Sequence, residues 1–224
     1  MEKINTNIIL LGPQGSGKST QAQLLSSKYN LHWIITGQLL RNIVSQGGQK
    51  SKEVNKYISA GELVPDSILF EYIYEPYLKK IKSNQKIIFD GMPRNIDQMK
   101  KFHQLISKLN ISRPILLVID VPDDCVYKRI SLRKMCPQCG TSYKPDDKQY
   151  KKNICSKCFK KLVKRQDDIN KQALQKRLSI YHSQTKKIIS FYRKNNLLIT
   201  VDGRKSVKEV FNDIVNKLTC FSNE

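Results

Sequence analysis

A chain of 224 residues is long enough to bury a core of its own, as one α/β domain carrying an inserted subdomain. Its longest apolar run, Ile115 to Ile119, excludes a transmembrane helix, which needs about 20 such residues. The charge balance, 40 lysines and arginines against 19 acidic residues, suits polyanionic partners: nucleic acid, a membrane surface or nucleotide phosphates.

Composition alone does not choose among these partners. Lysines such as Lys79, Lys80, Lys82 and Lys86 fall on expected helix faces, where solvated charge is the plain reading. The first strand begins after about six residues, too few for a signal or transit peptide, so a cytoplasmic or similarly reducing location is expected.

In chain order, Ile8–Leu11 is the first of five apolar segments with the character of buried parallel strands. Trp33–Ile35, Ile87–Phe89, Ile115–Ile119 and Leu197–Val201 are the others, and helical stretches separate them. The first strand runs into Gly12-Pro13-Gln14-Gly15-Ser16-Gly17-Lys18-Ser19-Thr20, which satisfies G-x-x-x-x-G-K-[ST] between a strand and a helix. In that context the pattern is a phosphate-binding loop rather than an ordinary glycine-rich turn. Its amides from Gly15 to Thr20 turn inward around phosphate oxygens, and the following helix adds the positive end of its dipole. Lys18 is expected on the β- and γ-phosphates and Ser19 on Mg²⁺. Ligands of such sheets sit at the carboxyl ends of the strands, so Gly12 and Asp90-Gly91 should share one edge. The last helix is marked by a Ser206/Glu209 capping box and by Val207, Val210, Phe211, Ile214, Val215 and Leu218 at helical spacing.

From about Met135 to Val163 the helical periodicity lapses, and two C-x-x-C pairs appear, Cys136/Cys139 and Cys155/Cys158, with 15 residues between them. That spacing suits a closed tetrahedral Zn²⁺ site, which leaves no position for a catalytic water and so serves structure. Redox-active pairs or disulfides are the alternatives. Cys125 and Cys220 are left as ordinary thiols.

Further motifs follow the loop in a fixed order: Ile35-Thr36-Gly37-Gln38-Leu39-Leu40-Arg41, Ala60-Gly61-Glu62-Leu63-Val64-Pro65-Asp66 and Asp90-Gly91-Met92-Pro93-Arg94. Arg129, Arg133, Arg165-Gln166-Asp167-Asp168, Gln175-Lys176-Arg177-Leu178 and Val201-Asp202-Gly203 complete the series. Over almost its whole length the chain closely resembles the adenylate kinase family in its long-lid, zinc-containing form. The resemblance implies transfer of the terminal phosphoryl of Mg-ATP to AMP, giving two ADP. It also implies a P-loop kinase fold: a five-stranded parallel sheet flanked by helices, with a small zinc-bound lid. The core would comprise residues 1–34, 66–133 and 165–224, the AMP-binding insert 35–65 and the lid 134–164.

By the same resemblance, Arg41 and Arg94 would hold the AMP phosphate. Arg133, Arg165 and Arg177 would close on the transferring group with Lys18, and Lys176 is the alternative to Arg177. Arg129 would lie against the ATP adenine, near Ser142, Tyr143 and Lys205. Asp90 would order water around Mg²⁺, and Asp167 and Asp168 would anchor the lid arginines. Thr36, Glu62, Leu63, Val64, Gly91, Met92, Pro93 and Gln98 would complete the AMP pocket, with the Gln98 amide reading adenine. Asn95 resembles the pyrimidine enzymes instead, which keeps UMP or CMP as an alternative acceptor; a kinase using GTP as donor is a separate alternative. His32, His103 and His182 are expected to be structural or solvent-facing, because transfer to an ionised phosphate needs no general base.

Three departures from the family stand out. Gln38 replaces an aspartate, Ser19 replaces a glycine, and the chain is one residue longer between Asp168 and Arg177. A zinc-ribbon ATPase acting on nucleic acid is the competing reading. The insert offers only Tyr143, Tyr150 and Phe159 for base stacking, so neither a nucleic-acid nor a membrane partner is expected, and a monomer is.

Overall fold

The computed structural model describes residues 4–81, 85–164 and 166–222, without the side chains of Gln166, Asp167 and Ser222. Arg165 and Lys82 lie outside it. The central sheet is built from β1 (Ile8–Leu11), β2 (His32–Ile35), β3 (Ile87–Asp90), β4 (Ile115–Asp120) and β8 (Leu198–Asp202). All pair in parallel, in the order β2-β3-β1-β4-β8. β1 lies at the centre, and its uninterrupted apolar sequence follows from burial on both faces.

Alternate residues of the strands feed two separate cores. On one face Ile9, Leu11, Phe89 and Val118 meet Tyr74, Phe102 and Tyr192, with Phe89 and Phe102 edge to face at 4.8 Å. On the other, Ile8, Leu10, Ile88 and Leu117 meet Ala22 and Leu25 of α1 (Lys18–Tyr29) and Ile214 of α12 (Val207–Ser222). The capping box forms as read: the Ser206 amide donates to Glu209 Oε2 at 2.9 Å, and the Glu209 amide to Ser206 Oγ at 3.3 Å.

Between β2 and β3 the chain leaves the sheet through α2 (Thr36–Ser45) and α3 (Gly48–Ala60). It returns along α4 (Asp66–Leu69), a π-helical turn over Phe70–Tyr74 and α5 (Glu75–Leu78). Helix α6 (Ile96–Lys108) follows β3, and α7 (Asp123–Ser131) follows β4. The cysteine segment folds as a small antiparallel sheet of β5 (Lys134–Met135), β6 (Ser142–Tyr143) and β7 (Val163–Lys164), with the short helix α8 (Lys148–Lys152). Its own core is Cys136, Cys155, Tyr143 and Leu162. The chain then re-enters the body by α9 (Gln166–Ile169) and α10 (Lys171–Ile180), and α10 packs Leu174 and Leu178 on Val126 and Ile130 of α7. A π-helical turn over Tyr181–Thr185 leads to α11 (Lys186–Lys194) and β8.

Candidate active site

The carboxyl ends of the sheet strands share one edge. Leu10 stands opposite Asp90 in register, so the loop at Gly12 and the turn at Asp90-Gly91 emerge side by side. Gly12 has φ 149°, and a Cβ there would run into the Ile119 carbonyl of the neighbouring strand. Only glycine lets the chain leave β1 this close to β4. Gly17 then caps α1, whose first amides open into a cavity of about 810 Å³.

The loop's own side chains are tied to it. Lys18 Nζ donates to the carbonyls of Gly12 and Pro13, both at 2.7 Å. Ser19 Oγ donates to Asp90 Oδ2 at 2.9 Å, which places a hydroxyl and a carboxylate together at the loop's mouth. Burial raises the Asp90 carboxyl above its ordinary value of 3.8, while the Lys18 ammonium and the Ser19 hydroxyl pull the other way. A carboxylate held against its own burial, beside a hydroxyl and a phosphate loop, fits a divalent cation as its missing partner.

The raised pKa of Asp90 makes stability depend on pH. Between 3.8 and the folded value the unfolded chain has lost a proton that the folded chain keeps. Asp90 therefore favours the fold at low pH, and that advantage is lost as pH rises through its folded value. Asp90→Asn removes the penalty, so the ligand-free protein is expected to melt about 3 °C higher at pH 7. Thermal scans from pH 5 to 8 check this, and a melting point that stays equal or falls counts against it.

Two arginines reach the cavity from the lid side. On α7, Arg129 donates to the carbonyls of Gly203 (2.8 Å) and Ser16 (3.4 Å), and so lies across the ends of β8 and the loop. Arg133, where α7 gives way to β5, donates through Nε and Nη2 to Asp168 at 2.6–2.8 Å, a pair only 17% and 5% exposed. Both arginines line the cavity, with Asp168 behind Arg133. The Asp167 side chain and Arg165 fall outside what the structure describes. The chain breaks at Asn170, which caps α10 by accepting from the Ala173 amide at 3.1 Å. That break sets the helix phase. Arg177 turns into the cavity, while Lys176 turns out to Glu62 at 2.6 Å.

At the other end, Thr36 bonds Tyr74 Oη and the Asp90 carbonyl. Arg41, Glu62, Leu63, Val64, Gly91, Met92, Arg94 and Gln98 complete that wall, but Pro93, joined to Met92 by a cis bond, does not line it. Gln98 is buried and accepts the Arg94 amide at 2.9 Å. Asn95, the residue of pyrimidine-kinase character, is the N-cap of α6 and accepts the Gln98 amide at 2.7 Å. Its side chain therefore has a structural occupation. Ser142, Tyr143 and Lys205 also border the cavity, Lys205 paired with Asp213 at 2.6 Å. The histidines sit elsewhere: His103 against Tyr192 at 2.8 Å and His182 against Asp123 at 2.9 Å.

One participant was not legible in the sequence. Gln14, at a free position of the loop pattern, donates to Asp168 Oδ1 at 2.6 Å and accepts from Arg177 Nη1 at 3.3 Å. It links the loop to Arg177 and to Asp168, the partner of Arg133, and the motif places no requirement on it.

In the lid the four cysteine sulfurs lie within 4.8 Å of one another. Burial works to raise the Cys155 thiol, yet the Tyr143 hydroxyl and the Cys158 and Lys157 amides, aimed at the sulfur from 3.3–3.4 Å, bring it down to about 6. Four converging sulfurs, with the Cys155 thiolate favoured by its surroundings, fit Zn²⁺.

A profile of the adenylate kinase family matches residues 10–197. Among curated relatives, the adenylate kinase of Acetivibrio thermocellus is 36% identical over 95% of this chain and 97% of its own. Those of Methanothrix thermoacetophila and Methanosarcina barkeri are each 38% identical over 96% of this chain, covering 99% and 100% of theirs.

Proposed function

The chain belongs to the adenylate kinase family of nucleoside monophosphate kinases, and on that premise we propose that it moves the terminal phosphoryl of Mg-ATP onto AMP, reversibly, giving two ADP. One observation carries the reading: a single cavity has the phosphate loop at one end and Arg41, Arg94 and Gln98 at the other. Arg133 and Arg177 look into the space between them.

ATP enters with its phosphates on the amides of Gly15 to Thr20, and Lys18 exchanges its two loop carbonyls for phosphate oxygens. Ser19 would hold Mg²⁺ directly and Asp90 through its water, and the ion would supply neutralisation of phosphate charge. Arg129 stacks on the adenine, with Ser142, Tyr143 and Lys205 at its edge. AMP is fixed by Arg41 and Arg94 on its phosphate and by Thr36, Glu62, Leu63, Val64, Gly91, Met92 and Pro93 around its nucleoside. The Gln98 carbonyl oxygen keeps a second lone pair beside the bond from Arg94, so its amide can both donate to and accept from the adenine edge. The acceptor is an ionised phosphate oxygen, and the work is alignment and charge neutralisation by Arg133, Arg165 and Arg177. Asp167 and Asp168 hold these arginines. Arg177 is preferred to Lys176 because it faces the cavity.

In this reading residues 134–164 form a zinc-stapled lid that excludes water, residues 35–65 the acceptor insert, and the remainder the core. In this reading the protein acts as a monomer on free nucleotides. Among the described residues no helix is long and apolar enough to cross a membrane. ATP as substrate and metal-bound thiols support a cytoplasmic setting.

The test is a coupled assay with ATP and a panel of AMP, CMP, UMP and GMP. AMP should be phosphorylated at least tenfold faster than the others, since a buried amide left unpaired by the wrong base costs that much or more. Absence of AMP phosphorylation would overturn the reading, and faster CMP or UMP would install the pyrimidine alternative.

A further inference from the structure

The two knuckles of the lid are built alike. In the first, the Cys136 amide donates to the Thr141 carbonyl at 2.9 Å and the Gly140 amide to the Cys136 carbonyl at 3.0 Å. In the second, Cys155 and Lys160 repeat the one bond at 2.9 Å, and Phe159 and Cys155 the other at 3.0 Å. Gly140 and Phe159 thus occupy equivalent positions, both left-handed, with φ 71° and 56°. The second knuckle shows that this turn tolerates a side chain, since Phe159 stands 80% exposed with open space around it. Backbone conformation alone therefore does not demand glycine at 140.

Gln38 does. A Cβ on Gly140 would overlap Gln38 Oε1 and lie 3.0 Å from Gln38 Cδ and 3.5 Å from Nε2. Gln38 belongs to α2, in the insert on the far side of the cleft, so this is where lid and insert touch. The same Oε1 accepts from Arg41 Nη2 at 3.1 Å, and Nε2 donates to Asn42 Oδ1 at 2.9 Å. Gln38 is held on its own helix on two sides and covered by the lid on the third.

We propose that Gln38 is a positioning residue: it is the seat on which the bare Gly140 backbone of the lid rests, and it links lid position to the Arg41 guanidinium. An uncharged amide suits this place. It accepts from Arg41 as a carboxylate would, without setting a second negative charge against the adjoining cysteine cluster. The kinetic part of this inference rests on the two-nucleotide reading above, while the contact itself does not.

The test is a double-mutant cycle. Gly140→Ala should lower kcat/KM for AMP about tenfold, through KM for AMP with KM for ATP within twofold, because the displaced Gln38 releases Arg41. In a Gln38→Ala background the same methyl meets nothing, and its cost should shrink below twofold. Phe159→Ala, the equivalent change in the other knuckle, should leave both constants within twofold. Zinc content and melting temperature accompany each variant. If Gly140→Ala loses zinc, Gln38→Phe crowds Gly140 from the other side with the knuckle intact and must show the same AMP-selective loss. Independently of activity, the Gly140 amide resonance in ¹⁵N-labelled protein should move on Gln38→Ala. Additive effects in the cycle, equal losses for AMP and ATP, or an unmoved Gly140 resonance each overturn the proposal. Should the wild type prove inert with AMP, the two-nucleotide reading falls and the resonance alone decides the contact.

Discussion

Arg133→Ala is expected to lower turnover of AMP phosphorylation about a thousandfold, the scale of removing an arginine that neutralises a transferring phosphoryl. The effect should fall on kcat more than on KM for either nucleotide, because the charge it meets is largest in transit. Its position explains why no neighbour can substitute. Nε and Nη2 are both committed to Asp168 at 2.6–2.8 Å, in a pair that is 17% and 5% exposed. The fork is held, so the guanidinium that lines the cavity keeps a fixed orientation. Arg133→Lys should therefore recover little, since an ammonium reaches Asp168 or the phosphoryl but does not span both. Asp168→Asn keeps the shape and loses the charge that orients Arg133 and accepts from Gln14, so a smaller loss, about thirtyfold, is expected. Steady-state kinetics of the three variants decides. Arg133→Ala within tenfold of wild type, or Arg133→Lys fully active, would remove Arg133 from the transfer step. Melting temperatures should also fall, because Asp168 is left without its charged partner.

The strands were legible because parallel strands buried on both faces must be apolar throughout. The five segments read from the sequence match the sheet to within a residue at most ends. The phosphate loop was legible because strand, glycines, lysine and helix follow one another without a gap. Several features were not legible, each for a physical reason. Gln14 sits at a position where the loop pattern accepts any residue, and its bonds to Asp168 and Arg177 span 154 and 163 residues of sequence. Nothing local encodes such a contact. Lys176 and Arg177 could not be told apart by spacing, because the phase of α10 is reset at Asn170, and a helix advances about 100° per residue. Asn95 has a structural occupation that its identity alone did not reveal. Its identity fits a pyrimidine kinase, but its side chain is spent on capping α6, a need visible only once the helix start is known. Pro93 belongs to a motif whose neighbours Met92 and Arg94 line the cavity, yet it does not line it itself.

The second large effect concerns the lid metal. The protein is expected to carry about one zinc per chain. Removing it by chelation, or by Cys155→Ser, should lower turnover at least a hundredfold while AMP affinity changes less than threefold. The asymmetry follows from where the structure puts its cohesion. The sheet has two extensive cores of its own, one on each face. The lid core is Tyr143 and Leu162 packed with Cys136 and Cys155, with Tyr150 and Cys158 partly buried against them, far too little apolar surface to order its residues. Its charge makes matters worse. Residues 134–164 carry nine lysines against Asp146 and Asp147, and four thiolates around one Zn²⁺ supply a net charge of −2 at their centre. Without the metal that counterweight goes, along with about 10–16 kcal/mol of apparent binding free energy of the kind that folds small zinc modules. The lid would then unfold with the core intact, taking Gly140 and Tyr143 away from the cavity and leaving Arg41, Arg94 and Gln98 in place for AMP. Metal analysis by mass spectrometry gives the stoichiometry, calorimetry the AMP affinity, and far-ultraviolet circular dichroism should change little. Less than about 0.2 zinc per chain together with Cys136, Cys139, Cys155 and Cys158 in disulfides would sink the zinc reading. Equal losses of AMP affinity and turnover would show instead that lid and acceptor insert fold as one unit.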